Sequence, residues 1–178
     1  MEFNGKSFEA IIATPGCGKT FLCEKYPNKF VDVDEERLKL KYVIPKNITR
    51  EELEKTKGER TFKKRKRTGS VTQKLYAILD REIKKGKVLI AAPHPESFEY
   101  FVSRNIPFCF VYPAEGMREE IKQRFISRNN DEKFIKENDE LFDTFRKSNV
   151  NEKRTDIHYE FKSGEYLETI LKKFGYKF

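Results

Sequence analysis

The feature that most constrains this chain is the segment Ala13–Thr20, which reads ATPGCGKT. An apolar run at residues 8–13 leads into it, and the residues from Gly18 to Glu24 read as the start of a helix. Gly16 and Gly18 allow backbone turns with positive φ, which a loop needs when its amide groups curl around phosphate oxygens. The segment therefore predicts a phosphate-binding loop of P-loop spacing, with alanine where the pattern has its first glycine.

The chemistry of a nucleoside triphosphate predicts what the side chains of this loop would bind. Lys19 is predicted to contact the β- and γ-phosphates, and the Thr20 hydroxyl to hold Mg²⁺. Cys17 is predicted to contribute mainly its backbone amide, and its place at the start of a helix predicts a lowered thiol pKa and sensitivity to thiol reagents. The residues predicted to bind the cofactor are Ala13, Thr14, Pro15, Gly16, Cys17, Gly18, Lys19, Thr20 and Phe21.

Short apolar runs alternate with amphipathic stretches along the chain, which is the pattern of a parallel sheet flanked by helices. A chain of 178 residues has room for one domain with a sizeable core, so we predict a single three-layer α/β domain over residues 1–178. Strands are predicted at 8–13, 29–33, 87–92, 107–112 and 157–161, and helices at 71–84, 96–105, 115–129, 131–147 and 164–174.

Two acids, Asp32 and Asp34, stand at the tip of the second predicted strand, whereas the third ends without an acid. Alternate residues of a strand point to one side, and parallel neighbours share their carboxyl-end edge, so both acids are expected to face the loop. Asp32 is predicted to hold the metal together with Thr20, and Asp34 to engage an acceptor hydroxyl or phosphate. The alternative is that Asp34 only caps the helix beginning at Glu35.

The net charge of +8 is concentrated in one place. Six cations lie between Arg60 and Arg67, inside a stretch at 44–70 that breaks the strand–helix rhythm, and the rest of the chain is nearly neutral. This segment is either a solvated loop or a contact for an anionic substrate or a single-stranded nucleic acid. The cations are Arg60, Lys63, Lys64, Arg65, Lys66 and Arg67.

Several classes of protein are excluded by composition. No apolar run approaches the roughly 20 residues of a membrane span, and the N-terminus lacks the shape of a secretory signal. Three cysteines without paired spacing do not form a disulfide framework, and two distant histidines do not form a zinc site. With 16 Phe and 8 Tyr to fill a core, we expect a folded, cytoplasmic protein without a membrane partner.

The loop resembles that of the adenylate-kinase-like branch of P-loop kinases, through Pro15, Gly16, Gly18, Lys19 and Thr20. The paired acids resemble the Asp-x-Asp of shikimate kinases and polynucleotide 5′-kinases. Most of the chain outside 44–70 resembles small nucleotide-kinase-like P-loop proteins of bacteriophages. That similarity rests on residues 110–113 (FVYP), the helix with Arg124 and Arg128, and residues 163–167 (SGEYL).

The resemblance implies a P-loop kinase-like domain whose five strands take the order 2-3-1-4-5, with ATP and Mg²⁺ as cofactors. It places a helical lid at 114–148 and an acceptor-binding insertion at 44–70. Arg124 and Arg128, four residues apart and so on one helical face, are predicted to stabilise the transferring charge; the alternative is pairing with nearby surface acids. The predicted catalytic residues are Lys19, Asp34, Arg124 and Arg128.

The function predicted from these residues is ATP- and Mg²⁺-dependent phosphoryl transfer to a small acceptor, a nucleoside monophosphate or related nucleotide. Two alternatives remain open at this point. One is a kinase for polynucleotide 5′-hydroxyl groups that binds the strand through the basic segment. The other is a non-enzymatic ATP-binding module or NTPase switch.

Overall fold

A parallel sheet of five strands forms the centre of the computed structural model, which describes residues 1–49, 51–53, 62–66, 69–150 and 152–178. The spatial order is β4-β5-β3-β6-β7, and each neighbouring pair is parallel. This order confirms the one expected from the resemblance. The strands are β1 (Glu2–Phe3), β2 (Lys6–Ser7), β3 (Ala10–Ala13), β4 (Phe30–Asp32), β5 (Val88–Ala91), β6 (Phe108–Pro113) and β7 (His158–Phe161).

Helices cover both faces of the sheet and connect its strands, as the alternating pattern predicts. A short 3₁₀ turn, Glu115–Met117, follows β6. The helices are α1 (Lys19–Lys25), α2 (Val33–Lys41), α3 (Val71–Lys84), α4 (Pro95–Ser103), α5 (Arg118–Ile126), α6 (Glu132–Glu140), α7 (Phe142–Val150) and α8 (Leu167–Lys173).

The central strand β3 is buried on both faces, because its successive side chains enter two separate cores. Ile11 and Ala13 pack in a core to which α1, α5 and α8 contribute. Ala10 and Ile12 pack in the opposite core, to which α3 and α4 contribute. The sheet is therefore clamped between two helical layers, and the residues after each strand are left at its carboxyl edge.

Two sequence-based expectations need correction, and one element was not predicted. The unpredicted element is a two-stranded hairpin of β1 and β2 before the sheet, since strands of two residues are too short to give a periodic signal. The helix expected at 131–147 is two helices, with a break at Leu141. Helix α5 ends at Ile126, so Arg128 lies beyond it and does not share a helical face with Arg124.

The segment 44–70 is described only in part. Thr49 and Glu52 form a capping box: the Glu52 amide donates to the Thr49 hydroxyl (3.2 Å), and the Thr49 amide donates to the Glu52 carboxylate (2.8 Å). Lys64 forms an isolated antiparallel bridge with Tyr42, at the end of α2. The expectations that fall on Arg60 and Arg67 lie outside the described residues. Within the described ranges, no helix is both long and apolar enough to traverse a bilayer.

Candidate functional site

The loop between β3 and α1 has the backbone geometry that the two glycines predict. Gly16 and Gly18 both have positive φ, at 86° and 89°. A Cβ atom at Gly16 would lie 3.1 Å from Ile121 Cδ1, and one at Gly18 would lie 3.2 Å from Tyr166 Cδ1. Both positions therefore need glycine for conformation as well as for space.

The carbonyl groups of the loop are held by the surrounding protein. Arg124 Nη1 donates to the Gly16 carbonyl (3.0 Å), and the Leu167 amide donates to the Cys17 carbonyl (2.9 Å). The amides of Gly16, Cys17, Gly18 and Thr20 donate to no acceptor among the described residues. This arrangement leaves several N–H donors of one tight turn available to an anion.

Lys19 and Thr20 open α1 beside these amides. Lys19 Nζ donates to the carbonyls of Ala13 (3.0 Å) and Thr14 (3.3 Å). The ammonium group therefore lies against the loop in which the phosphates are predicted to bind. The Thr20 hydroxyl donates to Oδ2 of Asp32 across 3.2 Å. The structure thus places a hydroxyl and a carboxylate, the two predicted metal-binding groups, next to each other.

Asp32 and Asp34 both lie at the carboxyl edge of the sheet, but not as alternate residues of one strand. Strand β4 ends at Asp32, which caps α2 by accepting from the amides of Asp34 (3.0 Å) and Glu35 (3.3 Å). The expectation of strand alternation is therefore wrong, and so is the alternative that Asp34 is the cap. Asp34 lies in the first turn of α2, where its Oδ2 accepts from the Ala92 amide at the end of β5 (2.9 Å).

The two predicted lid arginines have different surroundings. Arg124 is buried: besides its bond to the loop it forms an ion pair with Glu120 (2.5 Å), and its guanidinium lies 4.0 Å from the ring centre of Tyr166. The pairing with Glu120 is one that the alternative expected, but Arg124 is buried and is not an ordinary surface residue. The Arg128 side chain is half-buried and forms no hydrogen bond or ion pair with any described residue.

A cavity of about 650 Å³ lies beside the loop. Phe21 and Tyr166 are 48 % and 40 % exposed there, which is unusual for aromatic side chains of this size. Aromatic rings and a guanidinium group are the surfaces on which a nucleobase stacks, so the cavity suits a nucleoside in size and chemistry. It is lined by Gly18, Phe21, Glu51, Ser127, Arg128, Asn129, Tyr166, Glu168 and Thr169.

Glu51 brings the segment 44–70 to this same cavity. Its carboxylate accepts a hydrogen bond from the Asn129 side chain (2.9 Å), just after α5. Part of the segment predicted to bind the acceptor therefore lies beside this cavity.

Cys17 does not have the reactive thiol that its position predicts. The side chain is fully buried, and burial raises the pKa of the Cys17 thiol despite the nearby charges of Lys19 and Arg128. The thiol is therefore protonated at neutral pH and shielded from reagents. The helix-start argument fails because desolvation outweighs the favourable electrostatics.

Two functional candidates were missed or left out at the sequence level. Tyr166 contacts both Gly18 and Arg124, but nothing local marks it as different from a core aromatic. His94 follows β5, and its Nε2 lies 3.9 Å from Oδ1 of Asp34. The available signal was its position at the end of a predicted strand, which is the edge where ligands of such sheets bind.

Several solved structures are similar to this chain. The chain is similar to a shikimate kinase from Acinetobacter baumannii, solved in complex with shikimate, at a TM-score of 0.50 and 15 % identity over 94 % of this chain and 90 % of that one. It is also similar to a gluconokinase from Sinorhizobium meliloti 1021, at a TM-score of 0.45 and 14 % identity over 94 % and 90 % of the two chains. A third similar structure is an uncharacterized protein from Eubacterium ventriosum ATCC 27560, at a TM-score of 0.47 and 14 % identity over 93 % of each chain.

No family model and no curated protein sequence matches the chain. At the identity shared with the shikimate kinase, the likeness shows the fold alone: a P-loop kinase-like α/β domain.

Proposed function

We propose that this protein transfers the γ-phosphoryl group of ATP to a small acceptor, in the presence of Mg²⁺. The observation that supports this most directly is the loop itself. Several of its carbonyls accept hydrogen bonds from the protein, several of its amides donate to no acceptor among the described residues, and Lys19 and the Thr20–Asp32 pair lie beside it. A triphosphate is the ligand whose charge and length match these groups.

The donor nucleoside is proposed to lie in the cavity beside Gly18. Phe21 and Tyr166 offer apolar faces to a base, and the Arg128 guanidinium is available to stack on the base or to contact a phosphate. Arg124 is already engaged by Gly16, Glu120 and Tyr166, so we assign it to holding the loop through the Gly16 carbonyl while its charge contributes to the field at the phosphates.

The donor set beside the loop fits magnesium. Thr20 and Asp32 supply hard oxygen atoms, and the described residues contain no cluster of three acids, histidines or cysteines that would form a separate metal cage. Such a small donor set agrees with the usual coordination of Mg²⁺, which binds through one or two protein groups together with phosphates and water. When bound, the ion neutralises charge on the β- and γ-phosphates.

Asp34 is proposed to act on the acceptor. Its Oδ2 is held by the Ala92 amide, and the contacts of its Oδ1 within the described residues are long, at 3.5 Å to Arg37 Nη1 and 3.9 Å to His94 Nε2. Oδ1 is thus positioned to accept the proton of an attacking group. The acceptor class predicted from the sequence is a nucleoside monophosphate or related nucleotide.

A second candidate acceptor, a polynucleotide 5′-hydroxyl group, is favoured by one observation. The bridge between Tyr42 and Lys64 holds part of the basic segment against the end of α2, where Lys63, Lys64 and Lys66 are exposed. If these lysines bind a strand, the affinity for oligonucleotides will fall steeply with salt. A reaction with mononucleotides that is independent of salt would exclude this candidate.

The first prediction concerns Lys19. With γ-labelled ATP, Mg²⁺ and a panel of nucleosides, nucleotides and 5′-hydroxyl oligonucleotides, the protein should label at least one acceptor. Lys19→Ala should lower that transfer by on the order of a hundredfold or more, because a preorganised charge on the phosphates is lost. Lys84→Ala, which removes an exposed charge from α3, serves as the control and should leave transfer unchanged. Label found only in inorganic phosphate would contradict a kinase and favour the NTPase switch.

A further inference from the structure

His94 occupies an unusual position at the edge of the sheet. It is the N-cap residue of α4, held by a 2.8 Å hydrogen bond from its amide to the Ala92 carbonyl, yet its side chain makes no capping bond. Side chains at N-caps are usually short acceptors that bind the first helical amides. The imidazole instead points toward Asp34 and is 54 % exposed.

The gap between His94 and Asp34 has the size of one bridging atom. A separation of 3.9 Å between His94 Nε2 and Asp34 Oδ1 is too long for a direct hydrogen bond. An oxygen atom placed about 2.8 Å from both nitrogen and oxygen would hydrogen-bond to each of them. Neither atom has a short hydrogen-bond partner among the described residues.

The charges around this gap do not suit a phosphate. Arg37 is buried and forms ion pairs with Glu96 (3.1 Å) and Asp34 (3.5 Å) and a hydrogen bond to Ser97 (3.3 Å). Its charge is therefore already balanced by carboxylates. The charge of Lys19 also acts on His94, but its ammonium group donates to the loop carbonyls and is the proposed partner of the donor phosphates.

The imidazole itself adds no charge. Burial lowers the pKa of His94 below its usual 6.5; Arg37 and Lys19 lower it too, while Asp34 and Glu96 act in the opposite direction. At neutral pH the ring is uncharged, with one nitrogen donating and the other accepting. Among the described residues, the groups around this gap therefore suit a neutral polar group.

We propose that His94 is an acceptor-binding residue and that the acceptor group held between His94 and Asp34 is a hydroxyl rather than a phosphate. This inference rests on the proposed function and narrows its acceptor class. The hydroxyl oxygen bonds to the γ-phosphorus, its proton passes to Asp34, and the bond from the γ-phosphorus to the β–γ bridging oxygen breaks. The products are a phosphate monoester and ADP.

The test compares acceptors first. Labelled ATP and Mg²⁺ are incubated with nucleosides, hexoses, a 5′-hydroxyl oligonucleotide and nucleoside monophosphates, and each labelled product is identified as monoester or anhydride by phosphorus NMR. The inference expects monoesters. An anhydride formed on a nucleoside monophosphate would overturn it while leaving the kinase proposal intact. Transfer to none of these acceptors would overturn both.

Variants then separate recognition from folding. His94→Ala should raise the KM for the hydroxyl acceptor about tenfold and leave the KM for ATP unchanged, since one hydrogen bond to the acceptor is lost. His94→Asn, which keeps a donor and an acceptor, should recover part of that loss. His158→Asn removes the other histidine, on β7, and should change neither KM. An unchanged acceptor KM in His94→Ala, with an unchanged melting temperature, would refute the role of His94.

Discussion

Arg124 and Arg128 are close in sequence but differ in burial and in contacts once the chain is folded. Arg124 is 6 % exposed and has a carbonyl, a carboxylate and an aromatic ring as neighbours, whereas Arg128 faces the cavity beside the loop. The first stabilises the backbone of the loop, and the second is available to a ligand. Their spacing of four residues predicts one shared helical face, but α5 ends at Ile126 and Arg128 lies beyond it.

Gly18 gives a sharp test at the scale of one residue. Gly18→Ala combines a φ of 89° with a methyl group 3.2 Å from Tyr166 Cδ1. We expect the loop to shift and the affinity for ATP to fall by about tenfold or more, as measured by calorimetric titration.

Gly5→Ala is the matched control. It has a comparable φ of 76°, but nothing lies within 4 Å of the added carbon. This variant should show a similar backbone cost in its unfolding free energy, with unchanged ATP affinity. Equal ATP affinity in both variants would contradict the proposed role of the Gly16–Gly18 turn.

At the scale of elements, one carboxylate joins a strand, a helix and the loop. Asp32 ends β4, caps α2 through two amides and accepts from Thr20 at the start of α1. The residue proposed to bind the metal is thus the same one that fixes where α2 begins. Its stability role and its proposed chemical role are separable, because asparagine also caps helices well.

The prediction follows from that difference. Asp32→Ala should lower the free energy of unfolding by about 1–2 kcal/mol through loss of the cap, whereas Asp32→Asn should lower it much less. Both variants should lose Mg²⁺-dependent phosphoryl transfer, since neither keeps the carboxylate. Urea unfolding and transfer rates at several Mg²⁺ concentrations provide the measurements. Full activity in Asp32→Asn would contradict the metal assignment.

At the scale of the whole molecule, the order of the strands assembles the site. Because β4, β5 and β3 are neighbours and parallel, the loop after Ala13, the turn at Asp32 and the turn at Ala92 meet at one edge.

Away from this edge, ion pairs stabilise the connection between α3 and β5. Glu82 at the end of α3 pairs with Lys85 (2.7 Å) and with Lys87 (2.9 Å), just before β5.

This ion-pair group predicts a dependence of stability on pH. Hydrogen bonds from Lys85 and Lys87 lower the pKa of Glu82 from 4.5 to about 2. A depressed carboxyl pKa adds stability above the unfolded pKa, and that stability is lost as the pH falls from about 4.5 toward 2. Glu82→Gln should therefore be less stable than the parent protein at pH 7 in urea unfolding, with a difference that shrinks toward pH 2.

The control for this prediction is Glu99→Gln, at an exposed position on α4. The free energy of unfolding of Glu99→Gln should differ little from that of the parent protein at both ends of the pH range. If the difference in unfolding free energy between Glu82→Gln and the parent protein is the same at every pH, the loss of stability comes from packing and not from ionisation of Glu82.

Local patterns by themselves determined the loop, its flanking strand and helix, the parallel sheet and the bounds of α3, because each depends on residues close in sequence and on a regular period. Only the tertiary structure decided that Asp32 and not Asp34 caps α2, that Tyr166 packs on Gly18, and that His94 faces Asp34. The Asp32 cap is local, but the end of β4 that sets it depends on pairing with β5, and the other two contacts join residues far apart in the chain. They follow from how the layers pack, and no periodicity or short motif encodes that packing.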